Sequence, residues 1–296
     1  MDLKQLEYIV EIAKEKNITH AAKNLFISQS ALNQQLLKLE KELGTQLFFR
    51  SRSNWKLTDV GEIYIENAKK ILEIQKNTYN KIYDCIEQHK RKITIGITAG
   101  RGIELFTSIL PKFKKIYPNV EIEPFELSVY KQQEKMAKSE LDLGFMTLTK
   151  KQRTKDNYIT LYNEEMYLIA SVDNKFIQKL KEPIDIKYLK NEYFVLMNEN
   201  STNRAVIDDF FKNAKFSPKI LFETTYTTSI LTAVEANLCC GIVPYYYTLN
   251  NNLISRFKLK NAPCWDVAVA YKKDSYLSKP EKAFIELAKN FCENKK

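Results

Sequence analysis

The stretch AAKNLFISQSALNQQLLKLEKELGTQLFFR, residues 21–50, decides the reading of this chain. Leu32, Leu36, Leu39 and Leu43 fall at spacings of four, three and four, so they share one face of a helix and are expected to pack inward. Gln29 and Asn33, and Ser30, Gln34 and Lys38, repeat every four residues on the opposite face. These are groups that hydrogen-bond base edges and phosphates in a major groove. Ser28 reads as the N-cap of this helix, which starts at Gln29. Upstream, Leu3, Leu6, Ile9, Val10 and Ala13 give a first amphipathic helix. Thr19 reads as the cap of a second one, in which Ala21 and Ala22 permit close approach. A helix that follows a short turn after another helix is a helix-turn-helix. The same periodicity also fits a three-helix bundle with a solvated polar face.

The order of residues separates these two readings. Ala21-Ala22, Leu25, Ser28-Gln29, Ala31, Leu39-Glu40, Leu43-Gly44, Leu47-Phe48, Arg50, Leu57-Thr58 and Gly61 stand at the spacings of the LysR-type transcriptional regulators, and the chain resembles that family without a gap from about Leu3 to Ala68. The resemblance implies a multidomain α+β protein. Its parts would be an N-terminal winged helix-turn-helix (residues 1–58), a dimerisation linker helix (59–89) and a two-lobed α/β effector domain similar to periplasmic solute-binding proteins (90–296). Within the last, one lobe would take residues 90–162 and 266–296, the other 163–265. It also implies that Ser28, Gln29, Ser30, Asn33, Gln34 and Lys38 face DNA, and that residues 47–57 form a wing whose Arg50 and Arg52 reach the backbone and minor groove. The family usually carries an arginine three residues after Arg50. Here that position is Ser53, and Arg52 lies one place earlier. Asn33 stands where serine is commoner and Leu37 where a basic residue is common, so the preferred operator is expected to differ. A structural salt bridge is the competing role for Arg50.

After Thr58 and Asp59, both good caps, Ile65, Ala68, Leu72, Gln75, Tyr79, Ile82 and Ile86 alternate by threes and fours. That is an a/d seam over about three heptads. Its stripe needs a partner: either a second copy, as the resemblance implies, in dimers and tetramers, or the chain's own C-terminal part.

From Ile93 onward short β-like runs alternate with helical stretches, the pattern of an α/β domain with a largely parallel sheet. Strands are expected at residues 93–97, 120–127, 142–147, 193–197, 220–223, 241–243 and 265–271. Helices are expected at 103–117, 131–139, 204–214, 227–237 and 280–292. The stretches LDLGF and TAVEANLCCGIVP look like landmarks of the family's effector domain, with crossings between lobes near residues 162–164 and 262–265. A ligand in such a cleft meets strand ends and helix N-termini. The residues so placed include Thr98, Ala99, Gly100, Arg101, Ser128, Thr147, Thr202, Arg204, Tyr226 and Thr227. They suit a small anionic effector, with Arg101 and Arg204 as its charge partners. Helix caps plus solvated arginines fit the same residues.

Composition bounds the rest. The chain has 296 residues and a formal net charge of +10. Residues 1–91 carry 15 Lys and Arg against 12 Asp and Glu, so charge is not concentrated on the DNA-binding module. No apolar run approaches the roughly 18 residues of a membrane span, and the charged N-terminus has no signal-peptide core. A cytoplasmic protein without membrane partners is expected. Five cysteines without a C-x-x-C pair and only two histidines (His20, His89) argue against a metal site or cofactor. Cys239-Cys240, in an apolar run, read as buried thiols. No Gly-rich phosphate loop or nucleophile–base set suggests an enzyme. A solute-binding protein is the remaining competitor. The reading is therefore a promoter-binding regulator controlled by a small effector, acting on access for RNA polymerase.

Overall fold

The structure is a computed structural model, described here for residues 2–51, 55–86, 92–249 and 251–293. The chain divides into two compact units, Met1–His89 with Ser275–Ser278, and Lys90–Asp274 with Lys279–Lys296. Among the described residues no helix is long and apolar enough to cross a membrane.

The first unit begins with α1 (Leu3–Glu15), which buries Leu6, Ile9 and Ile12 and leaves Leu3 exposed. Helix α2 (Ile18–Asn24) is capped by Asn17, not by Thr19 as the sequence suggested. The Asn17 carboxamide oxygen accepts the backbone N–H groups of Thr19 and His20 at 2.8 and 3.1 Å. An asparagine two residues earlier reaches two orphan donors at once, which a threonine inside the turn does not. Helix α3 (Gln29–Leu43) starts where expected: the Ser28 hydroxyl accepts Ala31 N–H at 3.2 Å. Leu32, Leu36 and Leu39 are buried, but Leu43, in the last turn, is exposed. Strands β1 (Phe48–Phe49) and β2 (Lys56–Leu57) pair antiparallel, Phe48 opposite Leu57.

Helix α4 (Asp59–Cys85) is capped by Thr58, whose hydroxyl accepts Gly61 N–H at 3.0 Å. Gly61 is required by a close approach: a Cβ there would lie 2.1 Å from the Leu47 carbonyl oxygen. The helix has 27 residues, and positions 87–89 of the expected 59–89 linker lie outside the described residues. Its apolar stripe is divided. Ile65 and Ala68 are buried, and Ile65 joins the core formed by Ile9, Ile12, Leu32, Leu36 and Phe48. Tyr79, Ile82 and Ile86 are exposed, while the buried positions at that end are Asn80 and Asp84. A seam read as one continuous surface therefore serves the chain's own core in its first half and stands free in its second.

The second unit holds a seven-stranded mixed sheet and a separate pair of strands. Strand β3 (Lys92–Ile97) lies parallel between β4 (Glu121–Glu126) and β5 (Leu143–Leu148). Helix α5 (Arg101–Ile116) links β3 to β4, and α6 (Val129–Ala137) links β4 to β5. Every residue of β5 is buried, as expected of an internal strand covered on both faces. Strand β11 (Cys264–Tyr271) runs antiparallel to β5 and to β6 (Asn157–Ser171). The 15-residue β6 was not foreseen as a strand; the polar run Asn163-Glu164-Glu165 interrupts its apolar alternation. It is continuous and changes partner: Glu165 pairs with Cys264 of β11, and Met166 pairs with Pro244 of β9 (Gly241–Pro244). Strand β10 (Ile254–Phe257), also unforeseen, pairs with the end of β6.

The second lobe is completed by parallel β7 (Tyr193–Met197) and β8 (Lys219–Thr224) with helices α7 (Thr202–Asn213) and α8 (Thr227–Glu235). Phe194 bridges this pair to Cys240. In the first lobe, Phe284 of α9 (Lys279–Glu293) meets Phe113 at 4.8 Å and Phe145 at 5.7 Å between ring centroids.

Candidate functional site

Two surfaces carry chemistry, one in each unit. In the first, α3 buries its leucine face and leaves Ser28, Gln29, Ser30, Gln34 and Lys38 exposed, with Asn33 half-buried. Gln29 is oriented from outside its own helix: the Thr19 hydroxyl donates to its Oε1 at 2.9 Å. With its acceptor held, the Gln29 amide presents its two N–H donors outward. The hydroxyls of Ser28 and Ser30 lie 3.1 Å apart. Thr19 thus orients a side chain of α3 instead of capping, a role that no periodicity reveals.

Arg50 is not a free cation. Its guanidinium forms an ion pair with the Glu40 carboxylate, and its charge centre lies 5.6 Å from the Trp55 ring. Glu40 is buried and its other oxygen accepts Leu47 N–H at 2.9 Å. One carboxylate thereby joins α3 to the start of the wing. The Arg50 side chain keeps about a third of its surface exposed. The other wing arginine, Arg52, lies outside the described residues, as does Ser53.

In the second unit the N-termini of α5, α6, α7 and α8 open onto one cavity of about 790 Å³. Thr98, Ala99, Gly100, Arg101, Ser128, Thr147, Thr202, Tyr226 and Thr227 all line it. Ser128 and Ser201 cap α6 and α7, accepting Lys131 N–H at 3.4 Å and Arg204 N–H at 3.0 Å. Helices α5 and α8 begin at Gly100 and Tyr226 with no side-chain cap. Gly100, at φ +72°, needs its freedom twice over, because a Cβ there would sit 2.0 Å from the Tyr247 hydroxyl.

Neither arginine stands ready for an anion. Arg204 does not line the cavity. It is buried, donates from Nε to Asp208 at 2.8 Å, and donates from Nη1 to Glu223 at 2.7 Å and to the Met197 carbonyl at 3.0 Å. The expectation that it pairs with an effector is corrected: the sequence placed it at a helix start but did not show that α7 and β8 surround it with carboxylates. Arg101 does line the cavity, yet it pairs with both Glu164 and Glu104 and stacks on Tyr246 at 4.2 Å. Burial draws its pKa down, and the hydrogen bond and charge of Glu164 more than offset this, so it lies above its ordinary value. Glu164 is buried on β6 and also accepts the Trp265 indole N–H at 2.8 Å. That carboxylate binds both strands that cross between the lobes to the cavity wall. Burial first, then Glu164, raises the neighbouring Tyr162 phenol.

The sequence reading missed Gln152, Asn198, Tyr246, Tyr247 and Trp265 as cavity residues. The run Tyr245-Tyr246-Tyr247 after β9 was the available signal. Asn203 is buried, and its Oδ1 has no hydrogen-bond partner among the described residues.

Comparison with known proteins matches these two units one by one. Residues 3–62 match the model of the bacterial regulatory helix-turn-helix proteins of the lysR family, and residues 87–293 match that of the LysR substrate binding domain. The chain is 28% identical over 98% of its length to an uncharacterized HTH-type transcriptional regulator, YcgK, of Bacillus subtilis, covering 94% of that protein. It is 27% identical to the hca operon transcriptional activator HcaR of Escherichia coli, over 92% of each chain. Among solved structures, a full-length OxyR of Pseudomonas aeruginosa superposes with a TM-score of 0.76 at 24% identity, over 99% of this chain and 95% of that one. Full-length CbnR bound to its target DNA gives 0.54 at 20% identity, over 99% and 100%. With a helix-turn-helix model matched at the N-terminal end and a substrate-binding-domain model matched over most of the chain, the chain belongs to the LysR family of DNA-binding transcriptional regulators.

Proposed function

We propose that this regulator binds promoter DNA as a dimer, paired into tetramers, and that a small molecule in the cavity of its second unit sets its activity. The observation that supports an effector is the convergence of four helix N-termini on one cavity, two of them without side-chain caps. Backbone N–H groups at such ends attract an anionic group without a cationic side chain. A carboxylate on the effector is met by the starts of α5 and α8, with Asn203 Oδ1 accepting from a hydroxyl or amine. Arg101 serves the hinge instead, because its charge is already matched by Glu104 and Glu164.

On DNA, Gln29, Ser30, Asn33 and Gln34 read base edges. Ser28, Lys38 and Arg50, with Arg52 of the undescribed wing tip, contact phosphates. The exposed half-seam of Tyr79, Ile82 and Ile86 is the surface offered to a second copy, which places two recognition helices on a palindromic site. Effector binding shifts the population toward a closed cleft and alters how the paired modules bend DNA and admit RNA polymerase. The protein has no catalytic role, requires no cofactor or metal, and works in the cytoplasm.

The test is binding of the full chain to genomic fragments across a salt series, with Gln29→Ala and Arg50→Ala beside wild type. Footprinted, sequence-selective binding that weakens in both variants is expected. Genome-wide selection that recovers no site refutes the DNA-binding reading.

A further inference from the structure

Phe26 is 95% exposed, and its backbone is left-handed at φ +55°. It occupies the turn between α2 and α3. The turn closes α2 with paired bonds, Phe26 N–H to the Lys23 carbonyl at 3.2 Å and Ile27 N–H to the Ala22 carbonyl at 3.1 Å. This is the Schellman arrangement, whose left-handed residue is ordinarily glycine or asparagine. The neighbouring α3 follows that rule with Gly44. Among the described residues the other non-glycine positions of positive φ are Lys16, Ser139, Lys215, Asn237, Asn261 and Asp274, all polar; Phe26 is the apolar exception. Leu25 and Ile27 on either side pack against the core, so the turn is anchored without it. The ring therefore adds strain and exposed apolar surface while contributing nothing to the fold. Strain of this kind, kept where a better residue is obvious, points to a use for the side chain.

Position supplies the use. Phe26 lies two residues before Ser28, the N-cap of the recognition helix, beside the exposed Ser28, Gln29 and Ser30. We infer that Phe26 is a DNA-contacting residue, laying its ring on the carbon surface of the duplex where the N-terminus of α3 enters the groove. This rests on the reading of α3 as the recognition helix. The surface is either deoxyribose carbon or a thymine 5-methyl group, both apolar and both within the chemistry of a phenyl ring. Such a contact releases no counterion, so it strengthens binding equally at low and high salt.

The experiment measures full-length wild type, Phe26→Asn and Phe26→Leu on a fragment selected by wild type, across a salt series, with thermal melting of each protein. Asparagine keeps the left-handed turn and removes the apolar ring. Phe26→Asn is expected to bind roughly tenfold more weakly at every salt concentration, from partial burial of one aromatic side chain. Its salt slope should match wild type, and its melting temperature should be no lower. Phe26→Leu should recover part of the affinity. Replacing thymines in the half-site by deoxyuridine then names the surface. Loss in wild type but not in Phe26→Asn identifies a methyl group; loss at no position identifies deoxyribose. Binding of Phe26→Asn within twofold of wild type overturns the inference and leaves the recognition helix standing. A changed salt slope or a lowered melting temperature overturns it also, because the ring then serves charge placement or the fold. Selection that recovers no fragment for wild type removes the recognition-helix reading, and this inference with it.

Discussion

Removing the Glu40 carboxylate should loosen the wing from α3. Glu40 is buried and performs two tasks, accepting Leu47 N–H at 2.9 Å and pairing with Arg50. Leu47 is fully buried, so Glu40→Ala strands a backbone donor with no route to water. An unsatisfied buried donor costs about 1–3 kcal/mol, and a charge-assisted hydrogen bond contributes about 1.5–3 kcal/mol. The Arg50 side chain is a third exposed, so solvent screens its share, and the lower half of that second range applies. Glu40→Ala should therefore destabilise the first unit by about 2.5–5 kcal/mol. Glu40→Gln keeps an oxygen for Leu47 but turns an N–H toward the guanidinium, so it should cost about half as much. Trp55, whose ring lies 5.7 Å from Phe48 and beside Arg50, reports on this joint by fluorescence. Urea unfolding would be followed at Trp55 in a Trp265→Phe background, and hydrogen exchange would be read over residues 44–50. Equal stability of Glu40→Ala and wild type would refute the bridging role. Equal loss in both variants would show that charge alone matters and that the Leu47 bond contributes nothing.

Three further outcomes follow from Arg204 and the cysteines. Arg204→Ala should lower the stability of the second unit by about 2 kcal/mol, chiefly through the lost bond to the Met197 carbonyl and the buried stem. The carboxylates of Asp208 and Glu223 are well exposed and add little. Chemical denaturation checks this, and an unchanged midpoint would contradict it. In native protein at pH 8, Cys85 and Cys264 should react quickly with a thiol reagent, and Cys239, Cys240 and Cys292 slowly. Burial pushes the Cys239 thiol up from 9.0 to about 11 and the Cys240 thiol higher still. A raised folded pKa stabilises the fold below the unfolded value, so stability should fall as pH climbs from about 9 to about 11. Substituting both by serine should flatten that fall; a fall of the same size would assign it elsewhere.

Much of the fold was legible in residue order. Leucines at helical spacing set α3, the Ser28 cap fixed its start, and β-like runs between helices announced the second unit. The cavity wall was largely legible too, because helix starts follow strand ends in such sheets and Thr98, Ser128, Thr202 and Thr227 sit there by register. Strand β6 was not, since Asn163-Glu164-Glu165 breaks its apolar pattern and only partners distant in sequence satisfy Glu164.

What the sequence by itself determined is local and periodic: which residues form helices, which faces are apolar, which caps begin them, and which family's pattern they follow. Tertiary structure decided the state of each charged or polar side chain. In the sequence Arg50 could contact DNA or form a structural salt bridge, and Arg101 and Arg204 looked free to meet an effector; they are matched by carboxylates 10, 63 and 19 residues away respectively. Thr19 looked like a cap and instead orients Gln29, and Phe26, legible in the sequence only as part of the break between two helices, is almost fully exposed. The physical reason is common to all of them: hydrogen bonds and burial act through space over a few ångströms, while periodicity reports only the neighbours along one element.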